Sequence, residues 1–246
     1  MNNLQTSINH YLTYCQNQKR LDSKTLKAYR IDLRQFSDSI SCMSPEEITP
    51  FILENHIAYL HQCYKPKTVK RKIASVKSFL HYLEYKGVIE HNPFNKVQVR
   101  FREPILLPKT IPLHTIEALL TTVYAQRSNA GTDYQRKNAL RDAAIMELLF
   151  ATGIRVSELC SLKLNDVDLF DGSIRIYGKG SKERILQLGN NDVIQILEDY
   201  KNCFQPNLHT CDHFFINQNG SPLSDQSVRR IINKYTALSS IDLHSW

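Results

Sequence analysis

ATGIRVSEL (151–159), a polar connector, and SIRIYGKGSKERILQL (173–188) form the stretch on which the reading of the whole chain turns. The first piece sets Arg155 and Glu158 on one helical turn. The second sets Lys179, 24 residues beyond Arg155, between Gly178 and Gly180 at the bend of a strand pair. A guanidinium can fork two hydrogen bonds onto phosphate oxygens, and a lysine on a turn can follow a leaving oxygen. Together they suit phosphate-ester chemistry. Taken singly each signal is weak, since R-x-x-E on a helix is usually an i,i+3 ion pair and G-K-G usually a plain turn. A nucleotide-cradling loop is disfavoured, because GxxxxGK[ST] opening a helix is required and here a strand follows.

Upstream of this stretch, Asn138 to Thr152 reads as a buried helix that delivers Arg155, its core run being AAIMELLF (143–150). A polar loop (128–132) separates it from a helix over roughly 114–127. Downstream, Asp171-Gly172 makes a turn, Ile174 and Ile176 and then Ile185, Leu186 and Leu188 give β-type patterns, and 178–182 joins them as a hairpin. Residues 191–204 are helical again, HFFIN (213–217) reads as a short strand, and Ser224 caps SDQSVRRIINKY (224–235).

The first hundred residues have a different character. Helices are expected over 4–17, 25–40, about 50–63 and 67–86, the third opened by Thr49-Pro50 and the fourth stopped by Gly87. In the second, Leu26, Tyr29, Leu33, Phe36 and Ile40 form one apolar stripe, and Lys24, Lys27, Arg30 and Arg34 lie opposite it. In the fourth, Val69, Ile73, Val76, Leu80 and Leu83 face inward while Lys67, Lys70, Arg71 and Lys77 gather on the far side, with no acidic residue from 65 to 83. A solvated face normally mixes signs, so phosphate-backbone contact competes here with a plain basic surface. Prolines at 93, 104, 108 and 112 mark an extended linker that starts near residue 92.

Net charge is +7 over 246 residues, and it is unevenly spread. Residues 1–102 carry 16 Lys+Arg against 8 Asp+Glu, whereas residues 103–246 carry 15 against 16. An anionic partner for the first part follows. With no basic and apolar leader and no apolar run near the roughly 18 residues of a membrane helix, a soluble, non-secreted, cytoplasmic protein is expected. The six cysteines lack C-x-x-C spacing, which fits free thiols. Cys203, His209, Cys211 and His213 are the one group to weigh as a zinc site, but a strand through HFFIN explains their spacing, so no metal and no cofactor are expected.

In order, these pieces resemble a family. ATGIRVSELCSLKLNDVDLFDGSIRIYGKGSKERILQLG (151–189) is similar to the first catalytic box and following hairpin of tyrosine recombinases, the phage-integrase and Xer-type enzymes. TLKAYRIDLRQF (25–36), TVKRKIASVKSFLHYL (68–83) and NGSPLSDQSVRRIINKY (219–235) extend the resemblance over nearly the whole chain. It implies a mainly α fold with a small β component: a helical SAM-like core-binding domain over 1–104, and a mixed α+β catalytic domain over 105–246 that is incomplete at its C-terminus. The two would close around double-stranded DNA, with the basic helices 23–40 and 67–86 against the major groove. Carried over by position, Arg155 binds a non-bridging phosphate oxygen, Lys179 gives a proton to the 5′ leaving oxygen, and Glu158 supports the arginine.

The family then presents H-x-x-R and a nucleophilic tyrosine that joins the 3′ phosphate. His244-Ser245-Trp246 fits the first three positions of H-x-x-R; a second register puts the motif's histidine past the end and leaves His244 in a loop. None of the twelve tyrosines follows that position, and Tyr235, the last, reads as core or surface. The resemblance therefore implies a truncated recombinase that binds DNA without cutting it, monomeric in solution although the family assembles as a tetramer on two DNA sites. A non-enzymatic DNA-binding remnant or competitor of a mobile element is the alternative, and a type IB topoisomerase, which shares the chemistry, is a third reading.

Overall fold

Thr49 shows how closely local chemistry sets the elements: its hydroxyl accepts from the Ile52 amide, Pro50 takes the first helical position, and the helix runs Pro50–Cys63. In the computed structural model of the chain, residues 3–99, 110–178, 182–208 and 211–241 are described. They fall into two compact units, Met1–Leu106 and Leu107–Trp246.

The first unit contains α1 (Leu4–Asn17), α2 (Ser23–Ser39), α3 (Pro50–Cys63) and α4 (Pro66–Tyr85). Asp22 caps α2 by accepting from the amides of Lys24 and Thr25. After α4, Gly87 takes a left-handed φ of 68°, which lets the Val88 amide bond back to the Leu83 carbonyl. The core is built from the inward stripes: Leu33 and Phe36 of α2, Leu53 and Leu60 of α3, and Val69, Val76, Phe79, Leu80 and Leu83 of α4. Tyr11 is buried among them, its hydroxyl 2.7 Å from Ser78 Oγ. The stretch after residue 92 is not extended at its start. Pro93–Lys96 is a 3-10 turn capped by Asn92, and Phe94 is buried in the same core, so burial of that ring overrides the proline signal.

The second unit contains α5 (Leu113–Ser128), α6 (Asp133–Thr152), α7 (Val156–Ser161), a three-stranded antiparallel sheet of β1 (Val167–Asp168), β2 (Ser173–Tyr177) and β3 (Glu183–Gln187), then α8 (Asn191–Leu208) and α9 (Asp225–Leu238). Helix α6 packs against α5 and α8 and buries Ala143, Ala144, Ile145, Met146 and Leu148. It starts five residues before the expected Asn138, because Thr132 and Gln135 form a capping box that holds the exposed first turn. It ends at Thr152, where Gly153 adopts φ 62°.

HFFIN is not a regular strand. Phe214, Phe215 and Ile216 are all buried, which breaks the in–out alternation, and only isolated bridges form, Lys163 with His213 and Ile216 with Pro222. The Tyr200 hydroxyl substitutes for a neighbouring strand: it donates to the Phe214 carbonyl at 3.1 Å and accepts from the Ile216 amide at 3.0 Å.

Candidate active site

The Arg155 box is made by a break, not by a continuous helix. Gly153 turns the chain out of α6, Ile154 is anchored in the core, and Arg155, in extended conformation, caps the short helix α7. Glu158 stands at the third position of α7 and reaches back to the cap. Its Oε2 accepts from the Arg155 amide at 2.9 Å and its Oε1 from Arg155 Nη1 at 2.9 Å.

A second guanidinium, one that sequence reasoning did not single out, completes this arrangement. Arg184 of β3 forks onto the same carboxylate, Nη1 to Oε1 at 3.1 Å and Nη2 to Oε2 at 2.8 Å. Glu158 is 5% exposed while Arg155 is 75% exposed, so the buried anion is the anchor and the arginine is what the surface presents. The bond from Arg184 first, then those from Arg155, outweigh burial and hold the Glu158 carboxyl at about 2. One fully charged carboxylate thereby ties the start of α7 to the far strand of the hairpin.

A signal for Arg184 lay in the hairpin register. Ile176 pairs with Arg184 across β2 and β3, so both side chains share a sheet face, and Ile176 is buried. A charge directly opposite a buried isoleucine needs a partner. Ile185, counted in the apolar pattern, is instead 63% exposed.

The hairpin's shoulder lies against this carboxylate. Gly178 donates its amide to the Lys182 carbonyl at 2.7 Å, closing the turn. A Cβ added at Gly178 would come within 3.9 Å of Glu158 Oε1 and 3.7 Å of Arg184 Nη1. Lys179 and His244 lie outside the described residues. Tyr235 is fully buried in α9, its hydroxyl donating to Asp142 Oδ2 at 3.1 Å, and burial with that carboxylate beside it pushes its ionisation far above the ordinary range.

In the first unit Lys27, Arg30 and Arg34 on α2 and Lys67, Lys70, Arg71 and Lys77 on α4 are all exposed. Arg34 lies 3.7 Å from Asp38 at the surface, and Arg71 pairs with the buried Asp32. Of the group weighed for zinc, His209 is outside the described residues. Cys211 and His213 are joined by Asp212, whose carboxylate already takes Lys163 Nζ at 2.8 Å and His213 Nδ1 at 2.7 Å. Among the described residues no helix is long and apolar enough to cross a membrane.

Comparisons with known proteins match both units. A family model described as Phage integrase family matches residues 113–245, and one described as Phage integrase, N-terminal SAM-like domain matches residues 8–87. A tyrosine recombinase of Agathobacter rectalis is 64% identical over 244 residues, covering 99% of this chain and 80% of its own length. Tyrosine recombinase XerC of Thermodesulfovibrio yellowstonii is 36% identical over 248 residues, 96% of this chain and 76% of its own. Among solved structures, a lambda integrase tetramer bound to a Holliday junction aligns with a TM-score of 0.74 at 16% identity, over 99% of this chain and 68% of that one. XerH site-specific recombinase bound to its difH substrate aligns with a TM-score of 0.68 at 18% identity, over 96% and 67%. At these identities the two structures speak to the fold.

Proposed function

The chain belongs to the phage integrase family of tyrosine recombinases, and from that premise we propose that it grips duplex DNA and presents Arg155 to the scissile phosphate of a site-specific strand exchange. Attack on a phosphodiester builds charge on its equatorial oxygens, and Arg155 meets a non-bridging oxygen with a guanidinium already held in place. Preorganisation of this kind matters: removing one such donor costs on the order of 10² to 10³ in rate. As the new phosphorus–oxygen bond to the nucleophile forms, the bond to the 5′ oxygen breaks, and Lys179 supplies the proton that leaves with it. His244 sits downstream as a further phosphate contact. Lys27, Arg30, Arg34, Lys67, Lys70, Arg71 and Lys77 neutralise backbone phosphates. Assembly as a tetramer on two DNA sites is the expected working form; the structurally similar lambda integrase is a tetramer when bound to a Holliday junction.

One observation carries this reading: the buried Glu158 carboxylate holds Arg155, at the cap of α7, and Arg184 of β3 together. For these 246 residues we expect binding without cleavage; Tyr235 in particular is enclosed, with its hydroxyl on Asp142. A suicide substrate that traps covalent protein–DNA adducts tests both halves. No adduct should form with this chain. In a form carrying a competent nucleophile, Arg155→Ala should keep most of its DNA affinity and lose adduct formation by about 10²-fold or more. Normal cleavage by the Arg155→Ala protein would remove the assigned role.

A further inference from the structure

Two cationic helices side by side repel, and the first unit answers this with one acidic residue. Asp32 on α2 is fully buried and faces α4. Three α4 side chains converge on its carboxylate: the Arg71 guanidinium, Lys72 Nζ at 3.3 Å, and the Ser75 hydroxyl at 2.9 Å. Lys72 also bonds Gln35 of α2 and lies 4.7 Å from the Tyr64 ring centroid. The two cations differ in where they end. Lys72 is buried and spends its charge inside. Arg71 is 46% exposed, one edge of its planar fork pinned to Asp32 and the rest at the surface, beside the exposed Lys67 and Lys70.

We propose that Asp32 is a positioning residue for duplex binding: through Arg71 it fixes a guanidinium at the phosphate-facing surface. This inference rests on the DNA reading above. It adds that an acidic residue, which simple electrostatics counts against DNA binding, increases affinity. Arg71 unpinned would pass through many rotamers, and ordering it would draw on binding energy.

The sign of one substitution separates the two ideas. Asp32→Asn removes a negative charge at nearly constant shape. Charge alone then predicts tighter duplex binding and a steeper dependence of log affinity on log salt. Positioning predicts the reverse: about fivefold weaker binding, with the salt slope reduced by about 0.9 for the one phosphate no longer neutralised.

The experiment is fluorescence anisotropy of the 246-residue chain on a labelled duplex across a salt series, with circular dichroism to confirm folding. Arg71→Lys, which keeps the charge and loses the fork, should also weaken binding about fivefold. In an Arg71→Ala background, Asp32→Asn should change affinity less than about twofold. Tighter or unchanged binding by a folded Asp32→Asn protein overturns the inference, and so do full, additive losses in the Arg71→Ala background. If Asp32→Asn does not fold, Arg71→Lys decides, with unchanged affinity overturning the proposal. A wild-type chain without salt-dependent affinity overturns the DNA reading itself, an outcome distinct from all of these.

Discussion

Arg184 is the residue whose loss should be felt first at the site, although nothing in its immediate sequence marks it. Its partner Glu158 is 26 residues away, and their meeting depends on the hairpin folding back over α7. Arg184→Gln removes the leading cause of the lowered Glu158 ionisation, so carbon-detected NMR titration should show that carboxyl moving up from about 2 towards 4.5. The stability consequence has a definite sign. A carboxyl whose folded value is depressed contributes fully above its unfolded value and loses that contribution as pH falls through the folded one. Wild-type stability should therefore decline between pH 4.5 and 2 through Glu158, and Glu158→Gln should flatten that part of an acid-denaturation profile. A profile unchanged by Glu158→Gln would show the ion pairs to be idle. Tyr200→Phe tests another single group. It strips the hydroxyl serving Phe214 and Ile216, leaves a buried amide without its partner, and should cost about 1–3 kcal/mol in urea unfolding.

At the scale of elements, the junction between α6 and α7 is where sequence and structure part most usefully. The expected end of α6 at Thr152 holds, but Arg155, read as sharing a helical turn with Glu158, is instead the extended cap of α7, because Gly153 turns the chain out first. Gly153→Ala meets no steric obstacle within 4 Å, so its cost is the left-handed backbone alone, about 1 kcal/mol in thermal denaturation. Much else was legible. The Thr49-Pro50 start, the Gly87 stop and the apolar stripes of α2 and α4 are local signals, and local chemistry formed those elements. The start of α6 was legible too, in T-x-x-Q at 132–135, but the exposed run Asp133 to Lys137 offers no apolar period to count. HFFIN was not legible, because whether an apolar run pairs with a strand depends on what lies beside it. Here that neighbour is a hydroxyl on α8, outside the reach of any local pattern.

For the molecule as a whole, charge is divided by unit: the helical first part carries the cationic excess and the second part carries the Arg155–Glu158 box. Lys70→Ala with Arg71→Ala should weaken binding to every duplex sequence alike, since phosphate-directed cations carry no base information, and should reduce the salt slope by about 0.9 for each phosphate no longer neutralised. Arg155→Ala, which on the proposed role removes a contact to one phosphate, should change that slope by no more than about 0.9. The most direct test is therefore a plot of log affinity against log salt for the 246-residue chain on duplex DNA. A straight decline with a slope of several units, about 0.9 for each phosphate neutralised, is the predicted result. A flat line would contradict the account at its root.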